Sequence, residues 1–214
     1  MKIELERVAP MEIEARSFEI IESELPHPID PALAPIIKRV IHTTADFEYA
    51  DTLYFSPDVV EQAKAAIYGG AHIITDTTMA LSGINKKAAA RFGCKADCFI
   101  ADADVAAEAK ARGVTRALVS MEKAARLGEP IIFAIGNAPT ALIRIRELMD
   151  AGELAPKLVI GVPVGFVNVV ASKELIIESG APCIVARGRK GGSNVAACIV
   201  NAILYLMDET RGQG

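Results

Sequence analysis

Three histidines give this chain its means of moving protons near neutral pH, and they stand in different surroundings. His27 lies among Pro26, Pro28 and Pro31, in a segment that reads as a solvated loop. His72 opens a β-branched run, where a histidine is ordinarily a satisfied structural group. His42 sits in Arg39-Val-Ile-His-Thr-Thr-Ala-Asp-Phe-Glu-Tyr49, at the end of a helical pattern and before a polar turn, with Thr43, Thr44, Asp46 and Glu48 as local partners. One reading makes it a proton donor or acceptor; the other makes it a helix-end histidine interacting with the helix dipole. No nucleophile accompanies it: no serine has a G-x-S-x-G setting, and the carboxylates form no paired pattern separable from solvated faces.

A second set of candidate residues lies in four short segments: Thr75-Asp-Thr-Thr-Met79, Gly136-Asn-Ala-Pro-Thr140, Gly161-Val-Pro-Val-Gly-Phe166 and Arg187-Gly-Arg-Lys-Gly-Gly-Ser-Asn194. Glycine lets a backbone approach a ligand closely, and a helix N-terminus offers free N–H groups to anions. Arg187, Arg189 and Lys190, interleaved with Gly188, Gly191 and Gly192, exceed what a turn requires. Together the segments describe a wide cleft for a large anion with several carboxylates or phosphates. A nucleotide fits less well. G-x-x-x-x-G-K-[ST] cannot be laid on the arginine loop, and no G-x-G-x-x-G follows the first predicted strand.

These segments need elements to hold them. Patterning predicts strands at residues 72–75, 97–100, 131–135, 158–160 and 183–186. Helices are expected at 11–24, 32–42, 58–68, 85–92, 105–128 (broken near Gly113), 139–150, 168–179 and 194–207. Pro139 suits a first helical turn, with Asn137 as its cap. Five strands alternating with helices predict an α/β, doubly wound parallel sheet, with ligands bound beyond the carboxyl ends of the strands. The 214 residues read as one domain, 1–214, in which an N-terminal helical segment (1–55) packs on the 56–214 core.

Half the residues, 51%, are hydrophobic and mean hydropathy is +0.30, yet no uncharged apolar stretch reaches the roughly 18 residues of a membrane span. The apolar excess therefore implies a sheet buried on both faces, or a subunit interface. The opening MKIELERVAP lacks the apolar core of a signal peptide, so a cytoplasmic location is expected. Cys183 and Cys198 read as core fillers, and the lone Cys94–Cys98 spacing is not that of a zinc site. A net charge of -4 with one short basic cluster suits a small anionic ligand rather than nucleic acid.

Six segments carry a further likeness: Ile13-Glu-Ala-Arg-Ser-Phe18, Arg39-Val-Ile-His-Thr-Thr-Ala-Asp-Phe47, Thr75-Asp-Thr-Thr-Met79, Gly136-Asn-Ala-Pro-Thr140, Gly161-Val-Pro-Val-Gly-Phe-Val-Asn168 and Arg187-Gly-Arg-Lys-Gly-Gly-Ser193. In this order, over nearly the whole chain, the sequence resembles the precorrin-8X methylmutases and the related cobalt-precorrin-8 enzymes. The resemblance implies a flavodoxin-like, five-stranded parallel sheet with helices on both faces and an N-terminal helical extension. It implies a homodimer with substrate near the interface, and a reaction needing no external cofactor and no metal site of the protein's own. The substrate would be a tetrapyrrole bearing acetate and propionate groups. Its methyl group would move from C-11 to C-12, giving hydrogenobyrinate or cobyrinate in cobalamin synthesis. The family's catalytic histidine falls on His42 and its substrate-binding serine on Ser17, with Arg16 a plausible carboxylate partner. The expected substrate-binding set continues through Thr43, Thr77, Thr78, Asn137, Thr140, Gly165, Phe166, Arg187, Gly188, Arg189, Gly191, Gly192 and Ser193. Two other readings stand beside this isomerase: a corrinoid-binding carrier without catalysis, and a nucleotide-binding regulatory module of flavodoxin-like fold.

Overall fold

A computed structural model describes residues 6–208. Its centre is a six-stranded sheet: β1 (Leu53–Phe55), β2 (His72–Thr75), β3 (Ala96–Asp97), β4 (Ile131–Ile135), β5 (Leu158–Gly161) and β6 (Cys183–Ala186), in the order β1-β6-β5-β4-β2-β3. Strands β2 to β6 pair in parallel; β1 runs antiparallel to β6, Leu53 opposite Ala186. The parallel strands are apolar runs because both faces are covered. Successive residues go to opposite sides. Ile73, Ile132, Ala134, Leu158, Ile160 and Ile184 join one core. Ile74, Ile131, Phe133, Ile135, Val159 and Val185 join the other.

Against the first face lie α2 (Ala34–Thr44), α4 (Val59–Tyr68), α5 (Thr78–Gly83), α6 (Lys86–Arg91) and α11 (Ser193–Leu206). Against the second lie α8 (Arg116–Ala125), α9 (Pro139–Asp150) and α10 (Val169–Ile177), with α7 (Ala103–Arg112) packed on α8 through Val105, Ala109 and Val119. Helix α1 (Ile13–Glu24) packs on α2, and the one-turn α3 (Tyr49–Thr52) leads into β1. No described helix is long and apolar enough to cross a membrane.

The expected helices are present, each end shifted by at most a few residues. The expected five-stranded, all-parallel sheet is corrected to a six-stranded mixed one. Strand β1 escapes pattern reading because three residues at a sheet edge show too little alternation to register. Strand β3 holds only Ala96 and Asp97 rather than residues 97–100, because the ladder to β2 ends there. Helix α9 begins at Pro139 as expected, but Asn137 does not cap it. Ala138 occupies the cap position without a side-chain bond, and the nearby N–H groups are served from another strand.

Candidate active site at the strand ends

Along the sheet, strand order reverses between β2 and β4. Asp76, the first residue after β2, fills that crevice. It is 1% exposed, and its carboxylate accepts the N–H groups of Gly136 (2.9 Å), Asn137 (2.8 Å) and Ala138 (2.6 Å). Burial pushes the Asp76 pKa up, and the three N–H bonds oppose that shift. The donors lie just before α9, where a helix N-terminus favours negative charge. The strand-end positions of β2 and β4 are thus locked by a protein carboxylate, a role not visible in the sequence because the partners are sixty residues apart.

From this lock the neighbouring loops follow. Thr77 caps α5 by accepting from the Ala80 N–H, and its hydroxyl meets Ser193 Oγ at 2.8 Å. Gly136 lies so close to the start of α11 that a Cβ would sit 2.6 Å from Ser193 Cα. Gly191, with φ +152°, presses on the end of β5: a Cβ there would sit 2.1 Å from the Val162 carbonyl oxygen. Gly192 donates its N–H to that same carbonyl at 2.9 Å. Gly165 donates its N–H to the Arg189 carbonyl at 3.2 Å. The loops after β2, β4, β5 and β6 are therefore one connected surface.

The cations of the arginine loop are not equivalent. Lys190 is consumed internally: Nζ pairs with Asp46 Oδ2 and Glu48 Oε2, each at 2.6 Å, which holds the Asp46 carboxyl below the usual carboxylate range. Arg187 lies over the Tyr54 ring, 5.0 Å from its centroid, and 3.6 Å from Glu174. Arg189 has no carboxylate partner among the described residues; its guanidinium stands over Phe166, 5.4 Å from the centroid. Phe166 is 82% exposed, with Val164 and Val167 exposed beside it. Arg189 and Phe166 thus offer a free cation on an aromatic platform, suited to a carboxylate on an apolar ring.

His42 reaches this surface through local geometry. In α2 the buried positions Ile36, Ile37, Val40 and Ile41 form the inward stripe, so His42 points out of the last turn and is exposed. The helix stops at Ala45, whose left-handed φ of 54° turns the chain into the Asp46–Glu48 segment held by Lys190. Those two ion pairs fasten the arginine loop to the turn directly after His42. On the other side, the Phe18 ring lies 5.4 Å from the imidazole. Helix α1 is pinned there by Arg39, which stacks on Phe18 and Tyr205 and meets Glu14 at 2.5 Å.

Other expected site residues are placed less directly. Ser17 adjoins Phe18 but donates its hydroxyl to the Ile13 carbonyl of its own helix. Arg16 is exposed and paired with Glu6 and Glu19. The Thr43 hydroxyl lies 2.9 Å from the Arg39 carbonyl and 3.1 Å from Cys198 Sγ, tying α2 to α11. Thr78 is exposed at the start of α5. Asn137 contributes its backbone to Asp76 while the residue itself is exposed. The Thr140 hydroxyl meets that of Thr115, the cap of α8, on the side of the sheet opposite α2. His72 is buried at the amino end of β2, between Asp97 (2.7 Å) and Glu129 (2.9 Å), as a structural histidine would be. His27 is exposed beside Asp51.

The strand-end loops of this α/β protein carry Arg189 over the exposed Phe166 ring, and Lys190 ties them to the turn after His42, an arrangement with the chemistry to hold an anionic ligand. Residues 12–206 match the family model of precorrin-8X methylmutase. The chain is 45% identical to the cobalt-precorrin-8 methylmutase of Priestia megaterium, over 94% of this chain and 90% of that protein. It is 38% identical to the precorrin-8X methylmutase of Pseudomonas aeruginosa, over 88% and 91%. The crystal structure of precorrin-8X methyl mutase from Thermus thermophilus superimposes with a TM-score of 0.84 at 40% identity, covering 91% of this chain and 94% of that one. The chain belongs to the precorrin-8X methylmutase family, and it is an isomerase of the methylmutase class.

Proposed function

We propose that this methylmutase moves the methyl group of (cobalt-)precorrin-8 from C-11 to C-12 by general acid catalysis from His42, on a macrocycle oriented by Arg189 and Phe166. The observation that carries the reading is the pair of Lys190 contacts to Asp46 and Glu48, which join the arginine loop to the turn behind His42. The reaction breaks the C-11–methyl bond and forms the C-12–methyl bond within one molecule, so no second substrate is consumed. The protein must hold the ring in one geometry and shift its charge. A proton from His42 to a ring nitrogen or carbon does the second; general acid help is worth about 10²–10⁴-fold. Arg189 serves the first by pairing a peripheral carboxylate in a bidentate fork.

The five parallel strands follow a flavodoxin-like order in this reading, and the enzyme works in the cytoplasm as a homodimer. The dimer is supported by the shape of the surface. A cavity of about 1320 Å³ lies between α1, the following loop, α2 and the end of α11, and it is not lined by His42 or Arg189. The strand-end cluster is an open face with Phe166 and Val167 exposed, and a second copy would close it over the macrocycle.

The test is spectroscopic turnover of precorrin-8 and of its cobalt form by wild type and His42→Ala. Wild type is expected to complete the chromophore with one or both substrates. The variant is expected to bind the corrinoid but to turn over about 10²–10⁴-fold more slowly. A variant as fast as wild type would remove His42 from the mechanism. If wild type binds the product but converts neither substrate, the chain is a carrier.

A further inference from the structure

Among the described residues Lys173 is the one charged residue with no exposed surface: it lies in the middle of α10 at 0% exposure. A buried ammonium is tolerated only where it is paired and hydrogen-bonded. Its partners here are not carboxylates. Nζ donates to the Gly188 carbonyl at 2.9 Å and to the Lys190 carbonyl at 2.8 Å. These two carbonyls stand immediately before and after Arg189. The Arg189 carbonyl between them takes the Gly165 N–H at 3.2 Å. Three consecutive carbonyls of the arginine loop are thus held by donors from the β5–α10 segment and from α10 itself. Hydrogen bonds from a charged donor are the stronger kind, so two of the three fixings, and the firmer two, belong to Lys173.

The loop needs such fixing. Gly188 has φ +76° and Gly191 φ +152°, so the chain around Arg189 takes a path that residues with side chains rarely adopt. Burial lowers the Lys173 pKa to about 8, against a raising influence from Glu174, which leaves the ammonium in place at neutral pH. Arg189 itself is exposed, and without fixed carbonyls on both sides its guanidinium would sample many directions.

We propose that Lys173 is a positioning residue for substrate binding: by holding the Gly188 and Lys190 carbonyls it fixes the backbone on both sides of Arg189 and aims that guanidinium at a carboxylate of the macrocycle. This rests on the reading of Arg189 as a carboxylate partner. The experiment is a double-mutant cycle on binding of the corrinoid product, followed by absorbance titration, with circular dichroism to verify folding. Arg189→Met is expected to weaken binding by about 10-fold or more, the scale of one lost charged hydrogen bond. Lys173→Met is expected to do much the same alone, yet to weaken binding less than about twofold when Arg189 is already Met, because coupled residues are non-additive. Equal effects of Lys173→Met in both backgrounds would overturn the proposal. No effect of Arg189→Met would overturn the reading of Arg189 instead. Should Lys173→Met not fold, Lys173→Gln and Lys173→Arg are put through the same cycle with the same requirement. Failure of all three to fold would assign Lys173 to the core alone and overturn the proposal.

Discussion

At the residue scale, Asp76 and Gly191 fix the backbone of the candidate site. The Asp76 carboxylate takes three backbone N–H groups at the reversal of the sheet. Asp76→Asn keeps the shape but turns an amide donor toward those N–H groups and leaves at least one unsatisfied. An unsatisfied buried donor costs about 1–3 kcal/mol, so the urea midpoint should fall by that amount divided by the m-value, with m unchanged. An unaltered midpoint would mean that water replaces the carboxylate without loss. Gly191→Ala is worse placed. Its Cβ would overlap backbone rather than a flexible side chain, 2.1 Å from the Val162 carbonyl oxygen. The loop must shift, and corrinoid binding is expected to fail even if the fold survives, a combination that titration and circular dichroism would separate.

At the scale of elements, the coupling between α2 and the arginine loop is the step that needs testing. Lys190→Met removes both ion pairs to the turn after His42. The lysine is exposed, and exposed pairs contribute little to stability. The expected outcome is a melting temperature close to wild type together with a clear fall in kcat/KM. Raised salt should weaken the wild-type enzyme toward the variant, since exposed ion pairs are screened. A loss of melting temperature matching the loss of activity would make Lys190 a structural brace and no more. Elements of this kind were largely legible in the sequence. Helix α9 was bounded by Pro139 and Asp150 from its pattern alone, and α11 by its apolar stripe within a residue at each end. His42 stands apart from the other histidines in the sequence because a polar turn follows it. What was hidden is non-local. Strand β1 exists only because β6 offers it an edge. Asp76 reads as a loop aspartate until β4 arrives beside it. Lys173 lies between Ser172 and Glu174, and its burial depends on the arginine loop whose carbonyls it meets.

At the scale of the whole molecule, the sheet presents the crevice at which many α/β proteins bind the phosphates of a nucleotide, and here a side chain of the protein already occupies it. The N–H groups before α9 that would receive a phosphate are spent on Asp76. A phosphate entering beside that carboxylate would meet a like charge at hydrogen-bond distance. In the proposed reading the binding surface lies instead toward β5 and β6, where Arg189 stands over Phe166 and Lys190 ties the arginine loop to the turn after His42. ATP, NAD and FMN are therefore expected to leave the melting temperature unchanged. The corrinoid product at a hundred times its Kd should stabilise the fold by about 2.7 kcal/mol, which in a domain of this size raises the melting temperature by roughly 5–10 °C. Stabilisation by a nucleotide, retained in Arg189→Met and strengthened in Asp76→Asn, where the like charge is gone, would place a phosphate at the reversal of the sheet after all. It would mean that the crevice opens in solution. Stabilisation by the corrinoid alone, lost in Arg189→Met, would leave Asp76 as the residue that turns a nucleotide-type crevice into rigid support for a tetrapyrrole site one loop away.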